Sequence, residues 1–205
     1  MSRIAVIDFE TTGISPAEGA RPTEVAIVLV ENGQFVDRYQ SLMNPGVPIP
    51  FFIQQLTGIT NAMVKAAPPV AKVMKEAADF VGNTPLLAHN AAFDSKFWQV
   101  ELQKVRCKPR LDFACSLLLS RRLFPESPNH KLATLVQHLN LPQEGAFHRA
   151  MADAECTAHL LLRLQEQLKA RYKIDTPTHE ILVALQQSSR EGLEGCVRRF
   201  RSGEC

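Results

Sequence analysis

The sequence predicts an α/β protein with a mixed central sheet and helices on both faces. Ile4 to Phe9 is a short, almost wholly apolar run rich in β-branched residues, as expected of a central strand covered on both sides. Asn32-Gly33 separates two strand-like segments and is a strong two-residue hairpin signal. Beyond Val70, amphipathic helical stretches alternate with short apolar strands, an order that places helices on the faces of the sheet.

The elements follow in order. Thr23–Glu31 and Gln34–Leu42 are the hairpin strands. Pro45–Pro50 is a loop that delivers a short helix near Phe51–Leu56, with a second at Asn61–Ala66. Val70–Val81 reads as an amphipathic helix stopped by Gly82-Asn83. Thr84–Ala88 is a buried strand, and Asn90 is expected to cap a helix running to about Val105. Arg110–Phe113 is a last short strand, followed by helices at Ala114–Leu123 and Lys131–Leu139. Met151 to Arg171 is a long helix with an apolar stripe at Cys156, Leu160, Leu161, Leu164 and Leu168. From Ile174 the pattern changes, and Thr178–Gln187 and Arg190–Phe200 read as two short helices. The expected division is a domain over residues 1–173 and a short helical C-terminal extension over 174–205.

A chain of 205 residues suits one α/β domain with an appendage. No apolar run approaches the roughly 20 residues that span a bilayer, so no membrane association is expected. Met1-Ser2-Arg3 leads directly into the first strand, which leaves no room for a signal peptide. Cys107, Cys115, Cys156, Cys196 and Cys205 are odd in number and scattered, which argues for free thiols in a cytoplasmic protein. The net charge of +2 excludes nucleic-acid binding by bulk electrostatics. Local basic stretches at Lys104–Arg110, Arg121-Arg122 and Arg198–Arg201 either contact phosphates or are solvated surface.

In three places an acid stands where an apolar residue would pack. These are Asp8 and Glu10 at the end of the first strand, Asp94 after Leu87–Phe93, and Asp153 after His148–Ala152. An unpaired charge in such a place is strongly unfavourable. Side chains alternate along a strand, so Ile4, Val6, Asp8 and Glu10 share a face. The two acids then lie at a strand's C-terminal end, where open α/β sheets place their ligands. Asp94 and Asp153 each fall in the first turn of a helix. For Asp94 alone a plain helix-terminus role would suffice; for the set it would not. Crowded carboxylates raise one another's pKa values, and hard oxygen ligands suit Mg²⁺ or Mn²⁺. Two such ions, roughly 3.5–4 Å apart, can clamp the attacking and leaving oxygens of a phosphoryl displacement. His148 and Asp153 are separated by about 500° of helical rotation, so His148 is expected in the loop before the helix, free to swing over the pocket.

The pattern resembles the DnaQ-like (DEDDh) 3′→5′ exonuclease family over about residues 3–170. Asp8 and Glu10 match its first motif, Asp94 its second, and His148 with Asp153 its third. Asn44-Pro45-Gly46, Leu56-Thr57-Gly58-Ile59-Thr60 and His130-Lys131-Leu132-Ala133-Thr134-Leu135 also resemble the family. The resemblance implies the RNase H-like fold and two divalent cations, Mg²⁺ or Mn²⁺. Asp8, Glu10 and Asp153 would serve the first ion; Asp8 and Asp94 would serve the second. It implies His148 as general base, a role its near-neutral pKa suits. It also implies that Thr11, Thr12 and Gly13 hold the terminal nucleotide, with Leu56, Ile59 and Phe93 against its base and His89 and Asn90 on the same edge. Phe93 is equally readable as core, Asn90 as a cap, and Phe51 and Phe52 as packing or base contacts. His130 and Lys131 lie within reach of phosphate on this reading, whereas His138, His159 and His179 lack partner spacing.

The implied activity is release of 5′-mononucleotides from 3′ ends of nucleic acid, single-stranded or frayed, with DNA favoured in proofreading or repair. The alternatives are an exoribonuclease, and a non-catalytic nucleic-acid-binding or polymerase-tethering module. The presence of all five signature residues weighs against the module. The extension is expected to pack back on the domain, or else to meet a second copy or a polymerase or repair partner. Every metal ligand precedes it, so the chemistry is not expected to need it.

Overall fold

The computed structural model describes residues 3–108 and 112–203. Five strands, β1 (Arg3–Thr11), β2 (Pro22–Glu31), β3 (Gln34–Leu42), β4 (Leu86–Ala88) and β5 (Phe113–Cys115), form one sheet in the order β3-β2-β1-β4-β5. β1 is central, antiparallel to β2 and parallel to β4, and β4 is parallel to β5. The sheet is therefore mixed. Asn32 and Gly33 both take positive φ, 53° and 79°, the type I′ geometry that matches the twist of the hairpin strands.

Strand alternation sorts the helices. Ala5, Ile7 and Phe9 face α3 (Val70–Val81) and α4 (Asp94–Lys104), where Val73, Met74, Phe97, Trp98 and Leu102 complete one core layer. Ile4 and Val6 face α5 (Ser116–Leu123), α6 (Leu132–His138) and α7 (Ala150–Tyr172) through Leu119, Leu135, Leu160 and Leu161. Two short helices, α1 (Phe51–Thr57) and α2 (Asn61–Lys65), stand at the C-terminal edge of the sheet over a small core of Ile49, Ile59 and Val64. A 3-10 turn at Pro16–Glu18 was not expected from the sequence.

Several boundaries shift from expectation by a few residues, and two of the shifts bear on the sheet edge and the site. Asn90 does not cap a helix: its φ is +67°, it closes a turn in which the Phe93 N–H donates to its carbonyl (2.8 Å), and α4 starts at Asp94. Asn tolerates the left-handed region better than most residues, and that turn sets where Asp94 emerges. Of the strand expected at Arg110–Phe113, residues 110 and 111 lie outside the described residues and Asp112 is not in a strand; the strand present, Phe113–Cys115, is set by pairing with Leu86–Ala88.

The C-terminal extension forms α8 (His179–Gln187) and α9 (Leu193–Ser202). Its apolar side chains Ile181, Leu182, Leu185, Leu193 and Val197 are buried in the same core as Ile4 and Val6. They are covered within the chain. Arg122 Nε donates to the Ser188 carbonyl (2.6 Å) and Arg201 to the carbonyls of Tyr172 (2.5 Å) and Lys173 (2.8 Å). These two arginines of the basic stretches are thus structural ties. His179 lies fully inside, with Nε2 2.8 Å from the Leu86 carbonyl. Gln186 Oε1 accepts from Cys115 N–H (2.6 Å) and its Nε2 donates to the Phe113 carbonyl (3.1 Å). Its amide thereby occupies the place of a sixth strand on the outer edge of β5, an edge that would otherwise invite pairing with another chain. Among the described residues no helix is long and apolar enough to cross a membrane, and Cys107, Cys115, Cys156 and Cys196 are free thiols.

Gln186→Ala is expected to leave the Cys115 N–H and the Phe113 carbonyl without their partner. Urea unfolding should show a loss of about 1–3 kcal/mol, the usual effect of orphaning a buried polar group, with an unchanged slope.

Candidate active site

Asp8, Glu10, Asp94 and Asp153 converge at the C-terminal end of β1. The two helices that bring Asp94 and Asp153 pack on opposite faces of the sheet, and they meet there because both begin at this edge. Asp94 Oδ1 accepts from the Phe9 N–H (3.1 Å), which pins the start of α4 to the backbone between Asp8 and Glu10. A break in the β1–β2 register between Glu10 and Thr11 turns the chain out of the sheet at this point. Asp153 Oδ2 accepts from the His148 N–H (2.9 Å), while its Oδ1 is buried without a partner. His148 is exposed in the loop before α7 with φ +64°, and one ligand atom each of Glu10, His148 and Asp153 lie within 4.8 Å of one another.

The electrostatics are those of crowded like charges. Burial, and then the charges of Asp94, Asp153, Glu10 and Glu24, push the Asp8 carboxyl well above its ordinary range. Burial and the neighbouring acids raise Glu10 to about 8, and burial raises Asp94 to about 8. Asp153 is also raised, chiefly by burial, against the opposing hydrogen bond from His148. Glu24, which the sequence analysis did not single out, sits directly across from Glu10 on β2 and is 1% exposed. Arg149 holds it with Nε and a terminal nitrogen (3.2 and 3.0 Å), Ala150 N–H donates to it (3.2 Å), and Gln40 donates from β3 (2.9 Å). The Glu24–Arg149 pair therefore clamps the first turn of α7, which carries Asp153, against β2. Its sequence signal mirrored that of Asp8: an acid bordering an apolar strand run, here ahead of Val25–Val30 where Asp8 follows Ile4–Ile7.

A pocket of about 280 Å³ opens over the acids. Of the residues expected to contact substrate, Thr11, Gly13, Leu56, His89, Asn90 and Phe93 line it; Thr12 and Ile59 do not. Thr12 is buried, exchanging hydrogen bonds with Arg21 through its N–H (2.8 Å) and hydroxyl (3.0 Å), and so clasps the base of the 12–21 loop. Ile59 is fully buried against Ile49 and Val64. It anchors the turn after α1, where Gly58 takes φ +71° and Thr57 accepts the Ile59 N–H (3.1 Å). Gly13 is needed for closeness, not for positive φ, since a Cβ there would stand 3.3 Å from that of Ala20. Phe93 does both jobs: it lines the pocket and its ring packs 5.1 Å from that of Phe97. His89 is held neutral, its pKa lowered to about 4 by burial; Nε2–H donates to the His130 carbonyl (3.0 Å) and Nδ1 accepts from the Ser116 hydroxyl (2.9 Å). The His130 ring stands 3.1 Å from the Phe124 carbonyl through Nε2 and does not line the pocket. Ile14, Ile53 and Thr57 also line the pocket and were not anticipated.

Raised acid pKa values make a linked prediction for stability. Between the ordinary carboxylate values of 3.8–4.5 and about 8, the unfolded chain has released protons that Glu10 and Asp94 still hold when folded. Stability therefore falls as pH rises through that window. His89 acts oppositely, but only between about 4 and its ordinary 6.5. Thermal melts without divalent cations should thus fall from pH 6.5 to 8, and saturating Mg²⁺ should flatten the fall; a flat profile without the cation would contradict the charge analysis.

A family model described as Exonuclease matches residues 5–161. Over 186 residues the chain is 38% identical to the 3′-5′ exonuclease DinG of Bacillus subtilis (strain 168), an alignment covering 90% of this chain and 20% of that protein. It is 36% identical over 208 residues to the PolC-type DNA polymerase III of Halalkalibacterium halodurans, covering 100% of this chain and 14% of the relative. The chain thus spans a fifth or less of the length of these relatives. Its fold is similar to that of Exonuclease X, solved in complex with 5′ overhanging duplex DNA, with a TM-score of 0.65 and 24% identity over 95% of this chain and 99% of that one. With its mixed sheet, its helices on both faces and its acids gathered at the end of β1, the chain belongs to the DnaQ-like 3′→5′ exonuclease family.

Proposed function

We propose that this chain removes 5′-mononucleotides from the 3′ ends of DNA, single-stranded or frayed, using two Mg²⁺ or Mn²⁺ ions. The observation that carries this reading is the convergence of four carboxylates, three of them buried, with an unpartnered Asp153 Oδ1 and the His148 ring at the same rim. The donor set fits hard divalent ions: all four acids are oxygen ligands, and their raised pKa values mark a site short of positive charge. Asp8, Glu10 and Asp153 would hold one ion, and Asp8 with Asp94 the second. When bound, the ions supply charge neutralisation and Lewis acidity toward the scissile phosphodiester.

The chain's own groups do the rest. His148 stands exposed at the pocket mouth, so its ring is free to take a proton from the attacking water as the new P–O bond forms. The resulting imidazolium faces Glu10 and Asp153, whose negative charge stabilises it. The bond to the 3′-oxygen breaks, and that oxygen takes its proton from solvent. Leu56 and Phe93 offer apolar contact to the terminal base, and Thr11 and Gly13 line the same pocket. The names of the two relatives support 3′→5′ polarity and a DNA substrate, and the PolC-type relative supports association with a polymerase. Free thiols support a cytoplasmic setting. Neither the RNA reading nor the tethering-module reading is favoured by a specific observation.

Degradation of a 5′-labelled single-stranded DNA should stop in EDTA and return with Mg²⁺ or Mn²⁺. Robust hydrolysis in chelator, or rescue by Zn²⁺ alone, would contradict the two-ion reading.

His148→Ala retains the backbone N–H that anchors Asp153, so metal affinity should hold. Turnover should drop by roughly 10²–10⁴-fold, the usual worth of a general base, and the deficit should narrow at higher pH. A wild-type rate at neutral pH would exclude the proposed role.

A further inference from the structure

Glu24 is buried on β2 directly across from Glu10, and opposed residues of an antiparallel pair share a face, where like charges repel. A buried ion pair is a poor source of stability, because well-packed apolar residues in its place are often as good or better. Packing alone therefore gives no reason for a second acid beside Glu10. The reason lies in what Glu24 holds. Its Oε2 accepts from Arg149 Nε–H (3.2 Å) and from the Ala150 N–H (3.2 Å). Its Oε1 accepts from a terminal nitrogen of Arg149 (3.0 Å) and from Gln40 Nε2 (2.9 Å). Fixed from α7 and β3 at once, the carboxylate is a rigid two-pronged seat for the guanidinium. Arg149 needs that seat. Its carbonyl accepts the Asp153 N–H (3.1 Å), so its main chain is locked to the turn that carries a metal ligand. Its side chain is long and 40% exposed, so packing does not hold the far end. After Glu24, the acid that acts most on the guanidinium is Glu10.

We propose that Glu24 is a positioning residue for the cation site: it seats the Arg149 guanidinium away from Glu10 and so keeps Glu10 and Asp153 open to a divalent ion. The inference rests on the reading of the four acids as a cation site. Glu24 does not line the pocket and touches neither ion nor substrate on this reading; it acts through Arg149. Without the seat, a charge-assisted fork would form on Glu10, and each arriving ion would have to displace it.

The test reads Mn²⁺ binding to the full chain by electron paramagnetic resonance, so turnover is not required. Glu24→Gln keeps the side chain's size and removes the charge that seats the guanidinium. It should weaken Mn²⁺ binding by roughly tenfold, the low end of what loss of a group supporting a metal ligand costs. Adding Arg149→Gln should restore wild-type binding, because no guanidinium is left to compete. Unchanged binding in Glu24→Gln would overturn the proposal. A double variant no better than the single one would also do so, and would leave the pair a structural clamp. The Arg149 Nε–H resonance separates competition from the mere loss of a negative charge near the ions. In the wild type it should keep its hydrogen-bonded position through a Mg²⁺ titration; in Glu24→Gln it should move as Mg²⁺ displaces the guanidinium from Glu10. A signal released by Mg²⁺ in the wild type, or one that stays put in Glu24→Gln, would overturn the proposal. If Glu24→Gln does not fold, the wild-type titration and Arg149→Gln alone decide, the latter being expected to bind Mn²⁺ at least as tightly as the wild type. Wild-type chain that takes up no Mn²⁺ would overturn the cation reading itself, whereas uptake with an indifferent Glu24→Gln would overturn only the role of Glu24.

Discussion

The structure depends on holding four carboxylates together at one strand end before any cation has arrived. Their burial and mutual repulsion oppose folding, which is why Glu10 and Asp94 keep their protons up to about 8. The two acids carried by helices are fixed by main chain instead of by opposite charge. Asp94 takes the Phe9 N–H and Asp153 takes the His148 N–H. Backbone donors orient a carboxylate without neutralising it, so the acids remain available to a cation. This is the physical difference between a metal site and an ion-pair network.

The nearest opposite charge is deliberately engaged elsewhere in the geometry. Arg149 follows His148 directly, yet its guanidinium is turned to Glu24 and lowers the Glu10 pKa only as the last of several influences. A free arginine at that position would compete with divalent ions for Glu10 and Asp153. Paired to Glu24, it instead fastens α7 to β2, with Gln40 of β3 and the Ala150 N–H completing the acid's hydrogen bonds. Such a buried, fully satisfied polar cluster fixes one arrangement. The same logic appears on the other face, where buried Glu101 is held by Arg21 (2.9 Å) and Lys104 (2.8 Å) and so steadies the loop that carries Gly13 and Ile14.

The substrate side of the pocket is built on short elements. α1 has seven residues, and too short a helix holds its place only through tertiary packing. Ile59 supplies that packing, Gly58 permits the turn, and Leu56 is left to face the pocket. Within Leu56-Thr57-Gly58-Ile59-Thr60, Leu56 and Thr57 line the pocket while Gly58 and Ile59 shape and anchor the turn that presents them. The C-terminal extension likewise acts by packing, with Gln186 closing the edge of β5 and its apolar residues sharing the main core.

The local text of the sequence determined the hairpin at Asn32-Gly33, the extent of Val70–Val81, the facing of Asp8 with Glu10, and the position of His148 ahead of α7. These follow from positive-φ chemistry and from the two- and 3.6-residue periods, all of which act within a few residues of chain. Only the tertiary structure decided that Ile59 is an anchor while Ile14 reaches the pocket, that Thr12 clasps a loop, and that Asn90 turns the chain instead of capping a helix. It alone paired Glu24 with Arg149, 125 residues away, and Gln186 with Cys115, 71 away. Both partnerships join polar groups across the core, where burial makes a missing hydrogen bond expensive, and no periodicity along one segment encodes which distant group will satisfy it.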